Sequence, residues 1–236
     1  MLIIGHRGAS YDLGENTVSG IATAIRSGVD GVEIDIRRSD NRVILLHDMT
    51  VTRTTNGHGL HKNYSFHSLR NLVCKNGERI PTIEEVMPLL LRTTYIYLEV
   101  KEPNMLELVW QVLKKVPEKN QKNIYISSFD ENIIKSFKSN TKVKKAFITA
   151  AKKPELAARC EELNCSQIHV SLEVIDEMIV DEAHRNNLKV LVFTVNNSFD
   201  LKRCLDLKID GIFTDLPIEM IEALRRTEAR SQLKGC

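Results

Sequence analysis

Two histidines and two carboxylates fall at the ends of consecutive strand-like runs within the first 48 residues. Leu2-Ile3-Ile4 leads into Gly5-His6-Arg7-Gly8, the run from Val29 to Ile36 carries Glu33 and Asp35, and Val43-Ile44-Leu45-Leu46 delivers His47-Asp48. Side chains two apart on a strand share a face. Glu33 and Asp35 therefore aim together, while Val32, Ile34 and Ile36 take the other side. Hard oxygen ligands beside two titratable imidazoles and an arginine suit metal-assisted acid–base chemistry on an anionic substrate.

The elements that must carry these groups alternate along the chain. Strands are expected at Leu2–Gly5, Gly31–Ile36, Tyr95–Val100, Asn123–Ile126, Lys144–Ile148, Gln167–Val170, Lys189–Phe193 and Gly211–Phe213. Each is followed by a stretch with apolar residues at three- and four-residue spacing: Asn16–Ser27, Thr82–Leu91, Asn104–Val116, Glu131–Ser139, Pro154–Leu163, Ile175–Asn186, Ser198–Leu207 and Pro217–Arg225. Gly28 follows the first helix, Pro81 precedes the second, and Ser198 and Pro217 open the last two. Eight strand–helix units in 236 residues are the pattern of a (β/α)8 TIM barrel; an open doubly wound sheet has the same local alternation. The second connection is longer than the rest. Asn41–Leu46 reads as an extra strand, and 48–80 holds the turn formers Asn56-Gly57, Gly59 and Asn76-Gly77. It is expected to be an insertion over the barrel mouth, within one catalytic domain spanning 1–226. The polar segment 227–236 is expected to be a flexible tail.

In such a barrel chemistry sits at the carboxyl ends of the strands. The polar residues collected there are His6, Arg7, Glu33, Asp35, His47, Glu99, Lys101, Ser127, Ser128, His169, Thr194, Asn196, Thr214 and Asp215. Glu99 stands in the apolar run Tyr95–Val100, where a carboxylate is costly without a compensating cation. A metal shared with Glu33 and Asp35 would compensate it. Plainer roles compete: Glu33 and Asp35 could pair with Arg37 or Arg38, Glu99 with Lys101 alone, and His169 could be structural. Asp215 is expected to cap the last helix, and Glu15-Asn16-Thr17 could be a helix start with Asn16 or Thr17 as N-cap. His58, His61 and His67 are not expected to form a second metal site, and His184 is expected to be solvated.

Composition narrows the classes further. The net charge of +2 comes from 33 basic and 31 acidic residues, well mixed, which argues against a nucleic-acid-binding face. No apolar run approaches the roughly 18 residues a membrane span needs. The N-terminus is not expected to be a signal peptide. Five irregularly spaced cysteines without a Cys-x-x-Cys pair are expected to be idle thiols in a reducing compartment. The expected location is the cytosol; the oligomeric state stays open.

Taken together and in order, His6-Arg7-Gly8, Glu15-Asn16-Thr17, Glu33-Ile34-Asp35, His47-Asp48, Thr52-Arg53-Thr54-Thr55-Asn56-Gly57, Leu98-Glu99-Val100-Lys101 and Phe213-Thr214-Asp215-Leu216-Pro217 resemble the glycerophosphodiester phosphodiesterase family across nearly the whole chain. The resemblance implies a TIM barrel with a small insertion after the second strand. It implies hydrolysis of glycerophosphodiesters to glycerol 3-phosphate and an alcohol, with one divalent cation, Ca2+ or Mg2+. By the same resemblance His6 and His47 are the general acid and base, Glu33, Asp35 and Glu99 bind the metal, Arg7 and Lys101 hold the phosphate, and Glu15 supports the catalytic mouth. One departure is visible: the family usually has Trp-Thr-Val-Asn where this chain reads Phe193-Thr194-Val195-Asn196. The ring is kept and the indole N–H donor is lost. Phe193 is thus expected as a wall for the substrate, and the change bears on substrate preference rather than reaction type. The rival readings are a lysophospholipase D-like enzyme, a phosphoinositide-specific phospholipase C-like barrel (less well matched by these motifs) and a catalytically silent barrel that binds phosphorylated ligands.

Overall fold

A computed structural model describes residues 1–137, 142–152 and 155–234. Its strands are β1 (Leu2–Gly5), β2 (Gly31–Ser39), β3 (Arg42–Leu45), β4 (Tyr95–Val100), β5 (Ile124–Ser128), β6 (Lys144–Thr149), β7 (Gln167–Ser171), β8 (Lys189–Phe193) and β9 (Gly211–Thr214). All except β3 pair in parallel with their neighbours, and β1 pairs with both β9 and β2, so eight strands close a barrel. Closure is the property that local alternation left open. The fold is a TIM barrel with helices between the strands.

The period of two along each strand sorts side chains between two cores. Val32, Ile34 and Ile36 of β2 and Ile96, Leu98 and Val100 of β4 face outward into the apolar layer beneath the helices. Tyr97, Tyr125, Ala146, Leu191 and Phe213 fill the barrel interior with Ile4. Tyr97 stacks on Tyr125 at 5.0 Å and meets Phe213 edge-on at 5.4 Å. These rings form an aromatic floor. Truncating a residue such as the fully buried Ile34 to alanine would cost about 2–5 kcal/mol.

The helices begin where short polar side chains accept from free N–H groups. Thr17 caps the helix Val18–Ser27, accepting from the Gly20 amide. Thr82 and Glu85 form a reciprocal capping box at Ile83–Leu90, a device that contributes about 1 kcal/mol. The last helix runs Pro217–Lys234, past the expected boundary at Arg225. That stretch is rich in strong helix formers with no proline or glycine before Gly235, and Arg226 pairs with Glu222 at 3.0 Å. The expected helix end at Ser139, the expected start at Pro154, and Cys236 lie outside the described residues.

The segment after β2 departs from simple alternation. β2 is nine residues long, turns at Asp40 with φ 49° and returns as antiparallel β3, with Ile36 opposite Leu45 and Ser39 opposite Arg42. This return brings His47 back over the mouth, tied by the Leu46 amide to the Asp35 carbonyl at 3.1 Å. The following excursion has its own small core of Ile44, Leu46, Val51, Leu69 and Ile80. Among the described residues no helix is long and apolar enough to cross a membrane.

Candidate active site

Three carboxylates converge at the open end of β2 and β4. Parallel register sets Asp35 beside Glu99, and one oxygen from each of Glu33, Asp35 and Glu99 lies within 4.8 Å of the others. All three side chains are buried. Two cations face them. Arg7 Nε lies 3.0 Å from Asp35 Oδ2 and Lys101 Nζ 2.9 Å from Asp35 Oδ1, while Lys101 also pairs closely with Glu99. Glu33 accepts from the Arg7 amide through Oε2 at 3.0 Å. Its Oε1 is buried with no hydrogen-bond partner among the described residues.

That orphaned oxygen makes the cluster fit a divalent cation. Burial pushes the Glu33 carboxyl well above the usual carboxylate range, and the charges of Asp35 and Glu99 push it further. Glu99 is raised by burial and by Asp35, with Lys101 opposing. At Asp35 burial is outweighed by Lys101 and Arg7, which hold it below its ordinary value. Three hard oxygen donors against two monovalent cations leave an anionic hollow of the kind that a hard divalent cation fills.

Backbone geometry explains the residues around it. Arg7 sits at φ 56° and Gly8 at φ 90°, turning the chain sharply off β1. A Cβ on Gly8 would come within 2.7 Å of the Gly20 and Ile21 backbone, so only glycine fits. Asn16, at φ 57°, is no helix cap. Its side chain donates to Asp35 Oδ2 at 2.8 Å and accepts from the Asp35 amide at 3.0 Å, fixing the central carboxylate. Arg37 and Arg38 leave the carboxylates alone: Arg37 donates to the His47 carbonyl at 2.7 and 3.0 Å, and Arg38 to the Asp40 carbonyl.

Both histidines are oriented by aspartates. His6 Nδ1 lies 2.7 Å from Asp215 Oδ1, and His47 Nδ1 lies 2.7 Å from Asp48 Oδ1. An ionised carboxylate only accepts, so Nδ1 carries the hydrogen in each ring and Nε2 is left for other partners. Asp215 also accepts from Ser10 Oγ at 2.6 Å and Asn196 Nδ2 at 2.8 Å. Burial opposes its charge, but these contacts hold its carboxyl well below the ordinary range. The expectation that Asp215 caps the last helix is thus corrected, because its side chain is engaged by His6, Ser10 and Asn196. Burial lowers the His47 imidazole, with Arg7 and Lys101 adding to the effect and Asp35 opposing it.

A cleft of about 270 Å3 gathers His6, Arg7, Glu33, His47, Glu99, Lys101 and Phe193 on its walls. Asp35 is fully buried behind them, and Glu15 stands behind Arg7, accepting from its Nη1 at 3.1 Å. Part of the lining is an apolar wall: Phe129, Ile148, Phe193 and Phe213. Phe129 meets Phe193 edge-on at 5.9 Å. His169 lines this wall, but burial depresses its imidazole to about 3, and it packs edge-on to Phe213 at 4.7 Å as part of the floor. His58, His61, His67 and His184 do not line the cleft; His61 Nδ1 bonds the Met49 carbonyl at 2.9 Å and His184 pairs with Asp210.

Four supporting residues were not read as partners from the sequence: Asp48, Asp215, Asn196 and Asn16. For Asp48 a signal existed, since it directly follows His47. For Asp215 and Asn196 the signal was only their place at strand ends.

The model of the glycerophosphoryl diester phosphodiesterase family matches residues 6–219. A glycerophosphodiester phosphodiesterase from Caldanaerobacter subterraneus subsp. tengcongensis is 29% identical over 95% of this chain and 98% of its own. One from Bacillus altitudinis is 26% identical over 91% of this chain and 94% of its own. Among solved structures, an Oleispira antarctica phosphodiesterase in complex with the product sn-glycerol-3-phosphate superimposes with a TM-score of 0.87 at 24% identity, covering 95% of this chain and 97% of that one. A Thermotoga maritima glycerophosphodiester phosphodiesterase does so at 0.77 and 25%, covering 94% and 97%. With a barrel of the same architecture and a family match that runs from His6 at the first strand end to Glu219 in the last helix, this chain belongs to the glycerophosphoryl diester phosphodiesterase family.

Proposed function

We propose that the chain hydrolyses glycerophosphodiesters, such as glycerophosphocholine or glycerophosphoethanolamine, to glycerol 3-phosphate and an alcohol. The observation that carries this reading is the shared cleft, in which two aspartate-held imidazoles face a buried three-carboxylate cluster and two cations.

Glu33, Asp35 and Glu99 would hold one Ca2+ or Mg2+. When bound, the ion supplies Lewis-acid stabilisation of charge on a phosphate oxygen. Arg7 and Lys101 add positive charge at the same wall, Arg7 through a planar fork suited to phosphate. One imidazole takes a proton from the attacking hydroxyl at Nε2, and the other delivers one to the departing alkoxide. The attacking group is water, or the neighbouring glycerol hydroxyl with a cyclic phosphate formed first. Glu15 keeps Arg7 in place, and Phe193 adds an apolar wall to the cleft. The product named for the Oleispira antarctica structure supports the same substrate class.

Cleft size favours deacylated substrates over a lysophospholipid. About 270 Å3 lies just below the usual range of ligand sites, about 300–1,000 Å3, which suits a glycerol phosphate with a small head group better than one that keeps an acyl chain. Four free cysteines among the described residues support a reducing, cytosolic setting. Choline release from glycerophosphocholine, measured with and without chelator and beside lysophosphatidylcholine, tests the proposal. Chelator-sensitive release from glycerophosphocholine is expected. Release only from the lysolipid would favour the lysophospholipase D-like enzyme, and binding without release from either would favour a silent phospho-ligand barrel.

A further inference from the structure

The Thr52-Arg53-Thr54-Thr55-Asn56-Gly57 segment lies in the excursion, outside the cleft, and no role described above accounts for it. Its backbone is a closed turn. The Thr55 amide donates to the Val51 carbonyl at 3.0 Å, Thr55 Oγ1 to the same carbonyl at 2.7 Å, and the Gly57 amide to Thr55 Oγ1 at 3.0 Å. Gly57 is packed so closely that a Cβ would meet Leu72 at 2.8 Å. This turn projects Arg53.

The Arg53 guanidinium grips two carboxylates at once. Nε and Nη2 donate to Asp48 at 2.7 and 2.9 Å, and Nη1 and Nη2 donate to Glu15 at 2.5 and 2.7 Å. Asp48 is the carboxylate that orients His47, and Glu15 is the one that holds Arg7. Those two functional side chains come from different parts of the fold, one after β3 and one after β1. A single planar fork therefore joins them.

We infer that Arg53 is a positioning residue that sets His47 through Asp48 and Arg7 through Glu15, so that the excursion locks the proton-transfer group and the phosphate-binding group in one mutual geometry. The inference rests on the roles proposed above for His47 and Arg7. Two contacts to each partner explain why arginine is needed, since a lysine ammonium offers a single nitrogen and no planar fork with which to fix both carboxylates in orientation. Without the guanidinium, Asp48 and Glu15 would lose the cation between them, and each would be free to move. A displacement of about 1 Å at reacting groups can cost roughly a hundredfold in rate.

The test is turnover of glycerophosphocholine by Arg53→Ala, Arg53→Gln and Arg53→Lys in the presence of Ca2+ or Mg2+, with thermal unfolding followed in parallel. Arg53→Ala should lower kcat and raise KM, for a combined loss of about 30-fold in kcat/KM. The Arg53 side chain is 46% exposed and lines a surface cleft of about 300 Å3, so guanidinium ion at tens of millimolar should enter and restore part of the alanine variant's activity. Lysine should not substitute. Asp48→Asn combined with Arg53→Ala should lower kcat little beyond Asp48→Asn alone, and Glu15→Gln should mask the KM effect in the same way. Wild-type kcat and KM in Arg53→Ala would overturn the inference, as would additive double variants with no guanidinium rescue. If Arg53→Ala does not fold, Arg53→Gln carries the same comparison. Should His47→Ala and Arg7→Ala both retain full turnover, the reading of the site and this inference fall together. Should those two be inactive while Arg53→Ala is not impaired, the assignment of Arg53 alone is lost.

Discussion

The two imidazoles at the barrel mouth share one contact, Nδ1 to an aspartate at 2.7 Å, in two different surroundings. His6 rests on the barrel itself. Its Asp215 is steadied by the neutral donors Ser10 and Asn196, and Asn196 in turn accepts from the Asp215 amide at 2.8 Å and from Thr214 Oγ1 at 3.1 Å. His47 rests on the excursion. Its Asp48 is neutralised by Arg53, which is itself half-exposed and shared with Glu15. In the first arrangement the aspartate charge is met by neutral donors and by the imidazole. In the second, much of the aspartate's charge is already answered by a guanidinium, so Asp48 orients His47 more than it charges it. Solvent and salt reach the second arrangement more readily.

Replacing the imidazoles should give the largest effects. His6→Ala and His47→Ala are each expected to lower glycerophosphodiester turnover by at least about a hundredfold, equal in kind despite the different surroundings. A fully active His47→Ala variant in steady-state assays would break the comparison at its base.

Next come the two aspartates, where the contrast should show. Asp215→Asn is expected to lower kcat by roughly a hundredfold and Asp48→Asn by roughly tenfold; equal losses would mean that the surroundings do not matter. The same pair differs in stability against pH. Both carboxyls are held below their ordinary range in the folded chain, Asp215 against burial through His6, Asp48 chiefly by Arg53. A depressed carboxyl contributes stability that is present above the unfolded value of about 3.9 and fades as pH falls below it. Urea unfolding between pH 6 and pH 3 should therefore steepen least in Asp215→Asn, because Asp48 relies on the half-exposed Arg53 and that contact is screened.

Smaller effects are expected at the carboxylate cluster and the apolar wall. Glu33 pays most for its charge, being raised by burial first and by Asp35 and Glu99 next. Glu33→Gln should raise the Tm of metal-free protein by a few degrees, roughly what 1 kcal/mol gives in a chain of this size. It should also shrink the Tm gain on adding Ca2+, a readout independent of activity; an unchanged gain would remove Glu33 from the ligand set. Phe193→Trp should shift KM between glycerophosphocholine and glycerophosphoethanolamine by no more than about fivefold, leaving kcat nearly unchanged. A collapse in kcat would show that the wall touches the reacting atoms.

Much of this was legible along the chain because the physics behind it is local. The alternation of Val32, Ile34 and Ile36 with Glu33 and Asp35 follows from the period of a strand, and it holds in β2, where the apolar set faces the helices. Glu99 in an apolar run signalled a compensated charge, and β4 places it beside Asp35. The strand ranges Tyr95–Val100 and Lys189–Phe193 agree residue for residue, since β-branched and aromatic runs bounded by breakers leave little choice. What the local pattern could not carry was everything that depends on which strand ends meet. Closure of β1 against β9 brings Asp215 to His6 across 209 residues, and the hairpin of β2 and β3 followed by the excursion brings Arg53 to Glu15 across 38. Residue type and spacing thus determined the barrel's repeating units and the acidic, basic and imidazole groups at their ends. Tertiary structure decided the partners distant in sequence, because a hydrogen bond is made by atoms within about 3 Å, a distance that sequence order does not fix for residues far apart along the chain.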